Sequence, residues 1–573
     1  MADPPAPDAS ARRALAARVW AAVCRHIDGM AIGSTMAALA SHGALRTLAA
    51  ADRTEFGKLR ASLGAQPGFL HVAIRLLADQ GWVTCAGEGG TDELSITPTP
   101  GGRVVMTRLA GGYADAVRFL SAAGRVGADP VAGDAALEPF LEAVRGDWGL
   151  PVTGVPAGVR HQVLAHLNGH LIAPVMFGLT RANRPPGENA AQVLARQGWV
   201  RRDDGADRLT AAGEMAVVLA RQYRYPMVYL PLLRSVPELI FGHPQAPTAD
   251  GDDETHLDRD LDIRFSGEVF AATCRAPFLD VALPLFDREP VAAQPVLVVD
   301  SGCGDGTLLE TLYGAVRTQT GRGRELAGYP LLMVGTDPSP VARRAAAARL
   351  AAAGVPHLVM DGDIADPARL ARDLAAARHD ARDALHVCKS AIHDRACRPP
   401  AATPPPVAAA PPLAAAAPPL AAAAPPLAAT APPLAATAPP PAREAGPPAA
   451  MTAFAHPGGG AIPASQMAVN LAEMFRAWQP LARRHGWIVI EAHSVRAATA
   501  AALIGRTLAT ALDATHGYSC QYPVEPEVFA WAARSGGFTS RAHHEPGASA
   551  LGHTQLTIDH FVTDGPETDQ AGN

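Results

Sequence analysis

Apolar residues recur at intervals of three and four from Ala14 to Leu48, the spacing that lines one face of a helix, and predict two helices there. From Phe56 to Thr107 the phase changes. A helix is followed by a turn at Pro67 and Gly68, a second helix from Phe69 to Asp79, a GWV strand, a glycine-rich turn, an LSIT strand and a helix that starts near Gly101. That order is the grammar of a winged-helix unit. It occurs twice, because LADQGWV at 77–83 is echoed by LARQGWV at 194–200, each followed within about a dozen residues by a strand and a helix that begins near a glycine. The second half reads differently: apolar runs VLVVDSG, LLMVGTD, HLVMDGD, ALHVCKS, WIVIEAH and QLTIDHFV alternate with Ala/Arg/Leu helices. Such alternation predicts an α/β domain with a mostly parallel sheet covered on both faces, and a last hairpin from Gly537 to Val562 supplies an antiparallel edge.

These patterns divide the chain. Residues 14–226 form a mostly helical region with the two winged-helix-like repeats, 227–295 a connecting or lid segment, and 296–397 with 451–564 the α/β domain. Residues 1–13 and 565–573 read as disordered ends. Between 398 and 450 a Pro/Ala tract interrupts the domain, with PPL recurring at Pro411, Pro418, Pro425 and Pro432; repeated prolines remove donors and predict a flexible, extended spacer.

Charge and cysteine usage narrow the function. A net charge of −6 gives no general attraction to phosphate backbones, and the two candidate recognition helices carry one basic residue each, Arg75 and Arg196. No nucleic-acid partner is expected, and the winged units read as a packing and dimerisation module whose partner is a second copy of the chain. Seven scattered cysteines without a CxxC pair argue against a disulfide scaffold or a zinc ribbon and fit a reducing cytoplasm. No signal-like start or uncharged apolar run of about 20 residues is apparent, so no membrane role is expected.

The densest chemistry is at VLVVDSGCGDGTL, a strand that breaks into a glycine-rich loop and then a helix. Glycine lets backbone approach a ligand at the carboxyl edge of an open α/β sheet, and Asp300, Gly302, Cys303, Gly304, Asp305 and Gly306 are the candidate residues. A lone GxGxG is weak, so the acids at later strand ends matter. Asp337 closes the second strand, where a carboxylate can accept from a ribose diol; Asp363, with Ile364, follows the third and is placed to reach an adenine amine; Lys389 and Ser390, which end the fourth, complete the candidate cofactor-binding residues.

Beyond Met227 the stretches YLPLLRSVPELIFG, HLDRDLDI, DSGCGDGTLLETLY, LHVCKSAIHDR, NLAEMFRAWQPL, HGWIVIEAHS and THGYSCQYPVEPEVF resemble the C-methyltransferase domains in loading modules of modular polyketide synthases, some of them metal-dependent. The resemblance implies a class I, Rossmann-like methyltransferase fold, an S-adenosylmethionine site in the first motif, and a metal or polar cluster facing the acceptor carbon. Its substrate would be a small molecule or an acyl group on coenzyme A or a carrier protein. Carried over by position, His493 and Gln521 are the candidate metal ligands, suited to iron or manganese, and His493, His516 and His393 the candidate catalytic residues, with Asp394 beside the last. SAIHDRAC departs from the family stretch, being one residue short and followed at once by the Pro/Ala tract. Two other readings stand beside this one: an O- or N-methyltransferase of small aromatics with a catalytic histidine, and a winged-helix regulator with a degenerate cofactor domain.

Overall fold

The computed structural model describes residues 9–129, 133–182, 186–242, 256–397, 447–448, 452, 454–548 and 552–563. Almost all of the Pro/Ala tract, and both ends of the chain, lie outside the described residues. The N-terminal half is a helical bundle. Its first helix, α1 (Ala9–Ser41), stops at a turn where Gly43 takes a φ of 79°, and a short helix over Ala44–Ala50 follows, as the spacing predicts.

The first winged unit consists of α2 (Pro67–Asp79), β1 (Val83–Ala86) and β2 (Ser95–Pro98). After the long helix α3 (Ala157–Ala182) the unit repeats as α4 (Glu188–Arg196), β3 (Val200–Asp203) and β4 (Ala206–Leu209). The duplication extends to single atoms. In one copy the Thr99 N–H donates to the Trp82 carbonyl at 3.0 Å and the threonine hydroxyl accepts from Gly102 N at 3.0 Å. In the other, Thr210 donates to the Trp199 carbonyl at 3.0 Å and accepts from Gly213 N at 3.1 Å. A Cβ on Gly102 would sit 1.8 Å from Trp82 O, and one on Gly213 1.9 Å from Trp199 O, so only glycine fits either place.

Helix α2 starts on Pro67, whose fixed φ suits a first helical position, and is buried from Gly68 to Asp79. It is covered by the second half of the chain: Gly68 N donates to the Gly459 carbonyl at 2.8 Å, and the Phe69 and Tyr518 rings stack 6.4 Å apart. A helix enclosed in this way presents nothing to a DNA groove. The first copy's candidate recognition helix is thus a packing element between the two halves.

The second half contains, in order, α5 (Arg259–Val269), β5 (Leu297–Ser301), α6 (Thr307–Gln319), β6 (Leu332–Thr336), α7 (Pro340–Ala352), β7 (His357–Met360), α8 (Pro367–Ala376) and β8 (Ala384–Lys389). Next come α9 (Ala464–Ala482), β9 (Trp487–Ala492), α10 (Ala509–Tyr518), α11 (Pro526–Ser535), β10 (Phe538–His544) and β11 (Leu556–Thr563). The seven strands line up as β10-β11-β9-β8-β5-β6-β7. All neighbours from β9 to β7 are parallel, and β11 runs antiparallel to both β9 and β10. The terminal hairpin thus supplies the antiparallel edge expected from the sequence, with its second strand, β11, inserted between β10 and β9. This strand order with its one reversed strand is the class I methyltransferase fold.

Phe475, Trp478 and Phe529 cover one face of the sheet, and Phe270, Phe278 and Leu309 the other. Residues 227–295 are shared out. Leu230–Phe241 joins the N-terminal core, whereas Phe270–Phe286 packs on the sheet. Ala157–Thr180 and Arg259–Phe286 are long and apolar enough to cross a membrane by length and composition, a feature that reading for uncharged runs passed over; here the first is mostly enclosed by the bundle and the second contributes Phe270, Phe278 and Phe286 to the sheet's core.

Candidate functional site

The loop after β5 is shaped by three residues in the left-handed region: Gly302, Gly304 and Gly306 have φ of 84°, 53° and 79°. A Cβ on Gly302 would meet Ala391 Cβ at 2.6 Å. Gly302 N and Cys303 N both donate to the Thr336 carbonyl, at 2.8 and 3.1 Å, which folds the loop over the end of β6. Asp337 holds the same loop from the other side, since its carboxylate accepts from Gly304 N at 3.1 Å and Ser339 N at 2.9 Å. Burial pushes the Asp337 carboxyl up to about 6, with those two N–H donors opposing.

Asp300 is different. It is buried at the end of β5, and its Oδ1 has no hydrogen-bond partner. Burial, with the nearby Asp337 charge adding to it, pushes its carboxyl up to about 8. A buried polar atom without a partner, beside a loop where glycine keeps the backbone open, fits a ligand carrying a cationic or hydroxyl donor.

The other predicted positions around this loop make contacts within the protein. Asp305 accepts from Thr307 N at 3.0 Å and pairs with Arg349 at 2.7 Å, so its carboxylate is committed to the loop and to α7. Cys303 is buried, and a Cβ on Gly335 would press on its Sγ at 2.9 Å. Asp363 accepts from Ala365 N at 2.8 Å, while Asp366 caps α8 by accepting from Arg369 N at 3.0 Å. The Ile364 side chain belongs to the sheet's core, and its carbonyl accepts from Trp478 Nε1 at 2.9 Å.

At the end of β8, Ser390 takes a φ of 53° and its N–H donates to the Ile490 carbonyl at 2.8 Å. This twist sends the next residues under β9. There His393 Nδ1 hydrogen-bonds Glu491 Oε1, the other carboxylate oxygen accepts from Ile392 N at 3.0 Å, and Oε1 also accepts from Ala492 N at 2.9 Å. Burial alone would lower the His393 pKa; Glu491 overcomes it and raises it. The carboxyl of Glu491 is in turn held below its ordinary value by His393, against its own burial.

His516 stands 4.8 Å from His393, ring centroid to ring centroid, edge to face. Its Nδ1–H donates to the Leu512 carbonyl at 2.7 Å, and burial followed by the His393 charge lowers its pKa to about 3. Tyr225, whose hydroxyl is 2.6 Å from Thr515 Oγ1, stands in edge contact with Tyr229 on the same side.

Sequence reasoning missed Glu491 and Tyr225. A glutamate within the buried strand WIVIEA was the available signal, because an ionised group in a central strand needs a partner. Tyr225 left no comparable mark.

The predicted metal pair meets only part of what a metal requires. His493 Nδ1 and Gln521 Oε1 are both buried and unpartnered. However, His493 Nε2 is bonded with Thr557 Oγ1 at 2.9 Å, and the Gln521 amide donates to Asp394 at 2.7 Å. An iron or manganese site with open positions needs about three protein ligands, and among the described residues no trio of His, Cys, Asp or Glu side chains is placed to hold a metal. The residues do not complete such a site.

Two family models match the chain: the AprA MT2-like methyltransferase domain over residues 254–417 and 435–556, and the AprA N-terminal domain over residues 21–85. The chain is a SAM-dependent methyltransferase. The first match spans the glycine loop, the β8 loop and β9, and the second spans α2. No curated protein matches the sequence. Among solved structures, an O-methyltransferase family 2 protein from Planctomyces limnophilus, complexed with apigenin, is 11% identical with a TM-score of 0.37, covering 94% of this chain and 95% of its own. An O-methyltransferase from neocarzinostatin biosynthesis, bound to S-adenosylmethionine and a naphthoic acid, is 13% identical with a TM-score of 0.34, covering 75% and 96%. A CurJ carbon methyltransferase is 12% identical with a TM-score of 0.32, covering 76% and 100%.

Proposed function

We propose that this methyltransferase serves natural-product assembly by methylating the α-carbon of an acyl thioester, and that the His393–Glu491 pair is its general base. The observation that carries the reading is the buried hydrogen bond from His393 Nδ1 to Glu491 at the carboxyl edge of β8 and β9. With Nδ1–H committed to the carboxylate, Nε2 keeps its lone pair, and it has no hydrogen-bond partner among the described residues.

The donor site would be formed by the glycine loop with Asp300, Asp337 and Asp363. When bound there, S-adenosylmethionine supplies a methyl group on a sulfonium, which leaves with the sulfur keeping the bonding pair. The remaining work belongs to the chain. His393 Nε2 takes the α-proton, the C–H electron pair becomes that of the enolate and then forms the new bond from the α-carbon to the methyl carbon, and the imidazolium so formed is held by Glu491. Removing a weakly acidic C–H proton requires an imidazole backed by a carboxylate, whereas a phenol with a pKa near 10 gives up its proton more easily. His516 is excluded as the proton store by its depressed pKa; its neutral ring accepts hydrogen bonds and orders the acceptor.

The test is mass-spectrometric detection of a methyl group transferred from labelled S-adenosylmethionine to malonyl- and methylmalonyl-coenzyme A. Glu491→Gln should lower turnover by about 100-fold or more and leave S-adenosylmethionine affinity within about twofold. Full activity in that variant would overturn the assignment of the base. An aromatic acceptor is the second reading, favoured by the wall of Tyr225, Tyr229 and Phe265 beside His516, and methyl transfer to a phenolic oxygen but to no thioester would select it.

A further inference from the structure

Lys389 ends β8 between the glycine loop and the His393–Glu491 pair, with Asp262, Glu491 and Asp300 all near enough to act on its charge. Its Nζ donates to one group, Ser266 Oγ of α5, at 2.7 Å. Among the described residues no carboxylate stands within ion-pair distance of it, and the side chain keeps partial exposure although it lies deep in the fold. This is an unusual state for a lysine. Interior ammonium groups are paired, because a neutral hydroxyl does not return what an ammonium loses on leaving water.

We propose that Lys389 is the cationic seat for the anionic oxygen of the methyl acceptor, with Ser266 holding the ammonium in place. The inference rests on the methyl-transfer reading above and names the chemical class of the acceptor: one that carries a carboxylate, or generates an enolate oxygen, next to the carbon to be methylated. Three features support the position. The left-handed φ at Ser390 separates the two directions of the chain, so that Lys389 faces α5 while His393 faces Glu491. Burial lowers the lysine pKa, which is the direction expected of an ammonium awaiting its counter-ion. Ser266 is in α5, so the seat closes only where that helix covers the sheet edge.

The experiment compares binding of methylmalonyl-coenzyme A with that of propionyl-coenzyme A, which shares every group except the carboxylate, by calorimetry in the presence of S-adenosylhomocysteine. The wild-type enzyme should prefer the methylmalonyl ester by about tenfold or more. Lys389→Met should erase that preference while S-adenosylhomocysteine affinity stays within about twofold, and Lys389→Arg should restore part of it. Equal affinity of the wild type for the two esters, or a Lys389→Met enzyme that keeps the preference, overturns the seat. Loss of S-adenosylhomocysteine affinity in Lys389→Met assigns the lysine to the cofactor instead and also overturns it. A lysine-dependent preference without methyl transfer to carbon sinks the C-methylation reading and leaves the seat standing. Methyl transfer to carbon without the preference does the opposite.

Discussion

Replacing Arg75 by methionine should weaken the union of the two halves of the molecule more than any single surface change. Arg75, on α2, donates to Asp79 at 2.7 Å, to Asp513 on α10 at 3.0 Å and to the Val495 carbonyl just past β9. All three side chains are buried. Burial alone would lower the Arg75 pKa, but Asp79 and Asp513 overcome it and raise it. For Asp79, burial and then the neighbouring Asp513 charge push the carboxyl up against the opposing guanidinium. Removing the cation therefore leaves two buried carboxyl groups without a counter-charge and a buried carbonyl without a donor. A buried pair broken from one side typically costs 3–5 kcal/mol, and we expect about that loss in urea unfolding of Arg75→Met. Adding Asp79→Asn to Arg75→Met should recover about 1 kcal/mol or more, because one of the stranded carboxyls is gone. Activity should fall as well, since Val495 lies two residues from His493, and Asp513 one helical turn from His516, on elements that line the site. A loss below about 1 kcal/mol, or a double variant less stable than the single one, would refute the reasoning.

Three further outcomes follow from the same geometry. Gly302→Ala combines a φ of 84° with a 2.6 Å approach to Ala391, so S-adenosylmethionine affinity measured by calorimetry should fall by about tenfold or more. At pH 7, donor binding should release close to one proton, because Asp300, raised to about 8 when unliganded, ionises against a cationic partner; Asp300→Asn should abolish the release, and unchanged proton release would exclude that role. His543 is raised to about 9 by its hydrogen bond to Asp559, with burial opposing. Its stabilising contribution is complete below the unfolded value near 6.5 and disappears as pH rises through about 9, so His543→Gln should flatten the fall in melting temperature over that window.

The strands could be read from the sequence because each is an apolar run that ends in a residue with a reason to stop it: Asp300 and Gly302 after β5, Asp337 after β6, Lys389 and Ser390 after β8. The duplicated winged units were legible for a similar reason, since a threonine cap and a glycine under a tryptophan carbonyl leave the same letters in both copies. Glu491 was hidden by the apolar strand that surrounds it, and Ser266 by a polar segment with no period. Arg75 was legible only as a basic residue on a weakly charged helix. Its partners Val495 and Asp513 are more than 400 positions away, a separation that no local pattern encodes. The contacts of Asp305 and Asp366 follow the ordinary preference of aspartate for helix starts, while Asp300, which matches no such habit, keeps a buried Oδ1 without a hydrogen-bond partner.

The enclosure of α2 also fixes the timetable of biosynthesis. Tyr518, whose ring covers Phe69, leaves the ribosome about 440 residues after Asp79. At roughly 5–20 residues per second, the apolar side of α2 stays uncovered for about 20–90 s on every nascent chain. Over that interval the N-terminal half presents apolar surface of the kind that holdase chaperones bind. Slower translation through the second half should raise aggregation without any change in the finished enzyme's stability.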